Sequence, residues 1–187
     1  MRQALKEWAV VAEALATSRQ VFILRKGGIA EGKRGFELRH PRFLLFPSWE
    51  HQHKKSVQPD YHSLFDEMQP EDPGKVTIRY WCEAVDVLPA PENPLTLIEA
   101  NDLHIWTESY IQMRYKYRPD LPLWLITLKT HRLPAAVKIE NTRYYQGCRS
   151  WVELSDEIAV EDLNPAPAKF HFGTTRDLLL KRLDLRP

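Results

Sequence analysis

Hydrophobic positions fall in short segments whose spacing changes along the chain. Leu5, Trp8, Val11, Ala12 and Leu15 recur at helical intervals, with Lys6, Glu7 and Glu13 turned away. That spacing predicts an amphipathic helix over residues 3–17. The competing reading is a first hairpin strand through residues 9–11. After a polar break at 17–20, the run VFILR at 21–25 is β-branched and aromatic and predicts a buried strand. Strands are also predicted over 36–38 and 43–46, separated at Pro41, with Pro47 ending the second. Asp60 is placed to cap a helix that buries Leu64, Phe65 and Met68. Val76, Ile78, Tyr80, Cys82 and Ala84 alternate, so 75–88 reads as one long strand with a break near Val85. Helices over 95–100 and 105–117 follow. Strands over 123–128, 137–139 and 151–154 come next, and then a terminal helix over 174–185, capped by Thr174 or Thr175.

This order predicts an α+β fold: a single domain with a curled mixed or antiparallel sheet, or a partial barrel, flanked by helices. The helical connections recur too irregularly for a doubly wound sheet. The domain is placed at 1–160, with a Pro-containing linker and helix at 161–187. A chain of 187 residues is long enough to bury about 70% of its extended surface. Its 14 prolines argue for many short segments and against a helical bundle.

Charge changes the picture more by its distribution than by its net of +1. Residues 19–55 carry nine Arg or Lys against Glu31, Glu37 and Glu50. Residues 60–108 carry eleven acids against Lys75 and Arg79, and 109–151 carry eight Arg or Lys against Asp120 and Glu140. Two basic blocks therefore bracket an acidic one. The turn Arg25-Lys26-Gly27-Gly28 combines positive charge with glycine-freed N–H groups, which suits an anion cradle. A solvated hairpin edge accounts for the same residues.

Other motifs carry weaker chemistry. In an extended segment His51 and His53 point to one side and could share a divalent metal with Glu50, or with the distant His40 and His62. Glu31-Gly32-Lys33 matches half of a restriction-type nuclease signature. Cys148 beside Arg149 is a candidate nucleophile without a neighbouring base; the alternative is a buried cysteine packed by Trp151. Aromatic and basic residues interleave at Arg114-Tyr115-Lys116-Tyr117-Arg118 and at Arg143-Tyr144-Tyr145, as on surfaces that stack single-stranded nucleic acid. The two cysteines, Cys82 and Cys148, are too few for a disulfide scaffold. MRQALKEWAV has no signal-peptide pattern, and no apolar run is long enough for a membrane span, so a soluble cytoplasmic protein is expected.

Six segments together resemble a bacterial family, the domain of unknown function numbered 1802. They are Leu5-Lys6-Glu7-Trp8, Leu24-Arg25-Lys26-Gly27-Gly28-Ile29, Pro41-Arg42-Phe43-Leu44-Leu45-Phe46-Pro47, Glu50-His51-Gln52, His104-Ile105-Trp106 and Gly147-Cys148-Arg149-Ser150-Trp151-Val152. The resemblance covers about residues 4–155 and leaves the tail after Pro165 outside. It brings no established activity. Some members are joined to restriction-endonuclease-type domains, which implies a role beside DNA restriction. A second likeness is to PUA-like and ASCH-type RNA-binding barrels, which place a helix before a strand ending in Arg. Only Arg25 matches their signature, in a register filled here by Ser18, Gln20 and Ile23.

The function read from these residues is a nucleic-acid-binding or accessory module of restriction, defence or RNA handling. Arg25, Lys26, Gly27 and Gly28 would hold phosphate, with Trp49, Arg149, Ser150 and Trp151 in the same pocket. The alternatives are a metal-dependent hydrolase or nuclease using Glu31, Glu50, His51 and His53, and a protein–protein interaction domain. No cofactor is expected beyond the divalent metal of the second reading. The sequence leaves open whether the chain is an enzyme.

Overall fold

The computed structural model describes residues 1–26, 35–70, 72–160 and 172–187. Its elements are β1 (Gln3–Trp8), α1 (Ala9–Ala16), β2 (Phe22–Arg25), β3 (Arg42–Ser48), α2 (His62–Glu67), β4 (Lys75–Pro89), α3 (Pro94–Glu99), α4 (Glu108–Lys116), β5 (Trp124–Glu140), β6 (Trp151–Glu153) and α5 (Phe172–Arg182). The six strands form one mixed sheet in the order β2-β5-β4-β3-β1-β6. β1 runs parallel to β3, and the other neighbours are antiparallel. The sheet curls into a half-barrel, so the α+β partial barrel expected from the sequence is the fold observed.

Two apolar layers cover the sheet. The larger joins α1 (Val10, Val11, Leu15) to Phe22, Leu45, Tyr80, Ile111, Leu125, Leu179 of α5 and Leu183 just after it. The smaller, on the opposite face, holds Ala4, Leu44, Phe46, Ile78, Trp81, Tyr145 and Val152. Successive residues of β1 and β3 (Ala4 and Leu5, Leu44 and Leu45) thus enter different layers, as the two-residue period of a strand requires.

That double burial corrects the predicted helix over 3–17. Residues 3–8 are a strand, because both their faces and both their edges are occupied, by β3 on one side and β6 on the other. Only residues 9–16 are helical, and neither reading of the sequence had a strand at Gln3–Trp8. Three further expectations fail for identifiable reasons. Residues 36–38 are not a strand. Pro47 continues β3, because the ladder to β4 ends at Leu44 and that flank is open, which tolerates proline. The strands predicted at 123–128 and 137–139 are one strand. Pro134 lies where the register jumps between Tyr80↔Arg132 and Ile78↔Val137, leaving 133–136 outside the ladder. The caps also differ. A 3₁₀ turn, Pro59–Tyr61, precedes α2 in place of an Asp60 cap, and Thr174 and Thr175 lie inside α5. Among the described residues no helix is long and apolar enough to cross a membrane.

Candidate functional site

β1 and β3 are parallel, so both finish at the same end of the sheet, and antiparallel β6 begins there. The turn leaving β3 therefore meets the segment entering β6 beside the end of β1. The curl of the sheet adds the end of β2 and one side of α4. Together these elements enclose an open cleft of about 470 Å³. β1 supplies Lys6, Glu7 and Trp8; β2 and the next residue supply Leu24, Arg25 and Lys26. The last residue of β3 and the turn after it give Ser48, Glu50, His51 and His53, α4 with its end gives Tyr110, Met113, Arg114 and Tyr117, and the approach to β6 gives Gly147, Cys148, Arg149 and Ser150.

Lys6 is the fixed point. It is 7% exposed, and its ammonium donates to Glu50 Oε2 at 3.1 Å, Tyr145 O at 2.8 Å and Gly147 O at 3.0 Å. Its own N–H donates to Ser150 O at 2.8 Å. The other oxygen of Glu50 accepts the Gly147 N–H at 3.2 Å. Gln52 Oε1 accepts the Val10 N–H at 3.1 Å and so ties the same turn to the start of α1. Gly147 has φ +89°, a conformation that suits glycine, and its missing Cβ faces open space. Across the cleft Arg25 donates to Lys6 O and stands 3.8 Å from Glu7.

Lys26 is 3% exposed and donates to Tyr115 O at 2.9 Å. Burial and the neighbouring Arg114 hold its amine below the usual lysine range, against an opposing pull from Asp120. Arg114 Nε is buried without a hydrogen-bond partner among the described residues, and its guanidinium lies 6.0 Å from the Tyr117 ring. Arg149 lies over Tyr144 at 5.5 Å. Trp8 and Tyr110 pack at 5.1 Å to form an aromatic wall, and burial pushes the Tyr110 hydroxyl up.

Arg25, Lys26, Glu50, His51, His53, Arg149 and Ser150 thus line one cleft. Trp49 does not: its indole donates to Met68 O, and it lines a separate cavity of about 420 Å³ with Tyr80 and Arg132. Trp151 is a packing residue. Its N–H donates to Glu37 O at 3.0 Å and its ring meets Phe36, His40 and Phe43. Gly27, Gly28 and Glu31 lie outside the described residues. His62 contacts Val57 O at 3.0 Å and His40 packs on Trp151, so neither joins His51 and His53. Among the described residues no three His, Cys, Asp or Glu side chains group as metal ligands. Cys148 is exposed, against the expectation of a buried thiol, and its Sγ lies 3.5 Å from His51 Nε2. Sequence reasoning missed Lys6, Glu7, Trp8, Tyr110 and Met113, whereas Arg114 and Tyr117 belong to the aromatic and basic run that the sequence set apart without linking it to this cleft. The signal for Lys6 was a charged pair, Lys6-Glu7, set between the apolar residues Ala4-Leu5 and Trp8–Val11.

The model of a domain of unknown function, DUF1802, matches residues 4–177. The chain belongs to the DUF1802 family. The match runs into α5, beyond the limit near residue 155 drawn from the motifs. Four of the six segments on which the family resemblance was drawn contribute side chains to the cleft. No curated protein and no solved structure matches the chain, so the likeness to PUA-like barrels gains no support.

Proposed function

We propose that this DUF1802 protein is a nucleic-acid-binding module and that the cleft holds the phosphates of a strand. One observation carries the reading. Lys6, Arg25, Lys26, Arg114 and Arg149 come from separate parts of the chain to one cleft, where the two carboxylates, Glu7 and Glu50, already face Arg25 and Lys6. Lys26, Arg114 and Arg149 have no carboxylate within ion-pair distance among the described residues, so the cleft keeps a positive field. Trp8, Tyr110 and Tyr117 add ring surface next to it. Cations that track a backbone beside aromatic rings are the general means of gripping a single strand without reading its bases. A role beside restriction or RNA handling belongs to the same proposal and predicts a preference for DNA or RNA respectively.

Fluorescence anisotropy with labelled single- and double-stranded DNA and RNA oligonucleotides at two salt concentrations tests it. Single strands are expected to bind, with affinity falling steeply as salt rises. Arg114→Ala and Arg149→Ala should each weaken binding and lower the salt slope by about one. Absence of binding at low salt, or a double variant with unchanged affinity and slope, overturns the reading.

A further inference from the structure

We propose that Cys148 and His51 form a reactive thiol site for anionic disulfides, and that modification there closes the cleft to phosphate. The second half rests on the nucleic-acid reading.

The two cysteines sit in opposite environments. Cys82 is fully buried in β4 with its Sγ 3.3 Å from Thr130 Oγ1, and burial pushes its thiol up to about 12. It is a packing residue. Cys148 is exposed at the cleft, with a nitrogen base 3.5 Å from its sulfur, and a thiol needs both access and a proton acceptor to react.

The fold holds this pair from both sides. Glu50, next to His51, accepts the N–H of Gly147, which is next to Cys148. Lys6 then bonds Glu50 and the Gly147 carbonyl at once. His51 itself has φ +60°, an uncommon conformation for a residue with a Cβ, which persists where surrounding contacts fix it. In the cleft that Cys148 lines, Lys26, Arg114 and Arg149 supply the positive wall. A charged wall sorts incoming reagents by sign.

The step balances without another reactant. His51 Nε2 takes the Cys148 proton, the thiolate attacks one sulfur of the disulfide, and a new S–S bond forms as the old one breaks. The departing thiolate takes the proton back from the imidazolium. Cys148 is oxidised and half of the reagent is reduced. The bound half places an anionic group among the cations that would meet phosphate.

The full chain is treated with the dianion 5,5′-dithiobis(2-nitrobenzoate) and, separately, with dicationic cystamine, each rate being divided by that of free N-acetylcysteine amide. Mass spectrometry should find one adduct, on Cys148, and none after Cys148→Ser. The normalised rate should favour the anion by about tenfold at low salt and level off at high salt. His51→Asn, which accommodates the left-handed backbone, should slow both reagents by about tenfold. Arg114→Ala with Arg149→Ala should abolish the charge preference. Labelling on Cys82, a preference for cystamine, or a wild-type rate in His51→Asn overturns the thiol site. Oligonucleotide affinity should fall about tenfold after modification and return with dithiothreitol. Binding that modification leaves unchanged overturns the closure alone. A chain that never binds oligonucleotide but shows the His51-dependent, anion-selective reaction overturns the proposed function and leaves the thiol site standing.

Discussion

Lys6 shows how one charged residue can be worth burying. Its ammonium has three donors, and all three are used, on a carboxylate and two carbonyls contributed by the two loops that meet at the cleft. Lys6→Met keeps the length of the side chain but leaves those acceptors unmatched. Breaking one side of a buried ion pair is costly, though Glu50 is partly exposed, so a loss of about 2–3 kcal/mol is expected in urea unfolding. Glu50→Gln in the Lys6→Met background should add little, and full additivity of the two changes would show that they are not coupled. His104 makes the opposite arrangement. It is 1% exposed, contacts Leu97 O through Nε2 at 3.0 Å, and accepts the Trp106 N–H at Nδ1. That network needs the neutral ring, and burial holds its pKa below the ordinary value near 6.5, against smaller contributions from Leu97, Asp102 and Trp106. The folded state therefore binds the proton less readily than the unfolded chain. The stabilisation is complete above about pH 6.5 and is lost as pH falls from there through the lowered value. Urea midpoints measured between pH 7.5 and 5 should fall, and the His104→Gln variant should show a flatter profile over that window.

At the scale of elements, the sequence is legible where one rule dominates and misleading where two compete. β4 was readable because Val76, Ile78 and Tyr80 alternate with exposed or half-buried neighbours. β1 was not, because a strand buried on both faces has no alternation to show, and Leu5, Trp8 and Val11 fit a helical stripe by coincidence. The cleft inherits this split. Arg25, Lys26, Glu50, His51 and Arg149 stood out as charge or ligand clusters, whereas Lys6 was assigned to the solvent face of a helix that does not form there. Trp49 and Trp151 looked like site residues by position in the chain, and their indole hydrogen bonds spend them on packing. The attachment of α5 was also invisible, since its key contact spans 90 positions. Arg176 grips Asp86 with two bonds of 2.6 Å, and Thr127 donates to the same carboxylate. Arg176 and, less strongly, Thr127 hold the Asp86 carboxyl below the usual carboxylate range against the opposing effect of burial. This stabilisation is present above about pH 4 and is lost as pH falls through the lowered value. Arg176→Ala should release α5 before the sheet. Hydrogen exchange should accelerate in 172–182, with a stability loss of about 2–3 kcal/mol, below the ~3–5 of a fully buried pair. Uniform acceleration across the sheet would place the helix inside the same cooperative unit.

Over the whole molecule, the cleft exists because the sheet is curled. In the order β2-β5-β4-β3-β1, four strand spacings separate β2 from β1, roughly 19 Å across a flat sheet. Yet Arg25, at the end of β2, donates to the carbonyl of Lys6 in β1 and faces Glu7 beside it. Its guanidinium also lies 5.6 Å from the ring of Phe36, in the segment that passes over Trp151. One side chain therefore bridges the mouth of the half-barrel, and its contacts are charge-assisted at one end and aromatic at the other. Arg25→Ala should cost about 2 kcal/mol, the range expected for hydrogen bonds to a charged group. Its effect should also be local. Exchange should rise in β2 and at Lys6 and Glu7, while the long β4–β5 ladder keeps its protection. Arg25→Lys should recover little, because an ammonium cannot reach the carbonyl and stack on the ring together. If exchange in β2 is unchanged in Arg25→Ala, the curl is held by the apolar layer beneath, through Phe22, Leu45 and Leu125, and Arg25 is free to meet phosphate. If β2 loosens, the arginine that looked most like a phosphate ligand is the clasp, and the proposed anion binding falls to Lys26, Arg114 and Arg149.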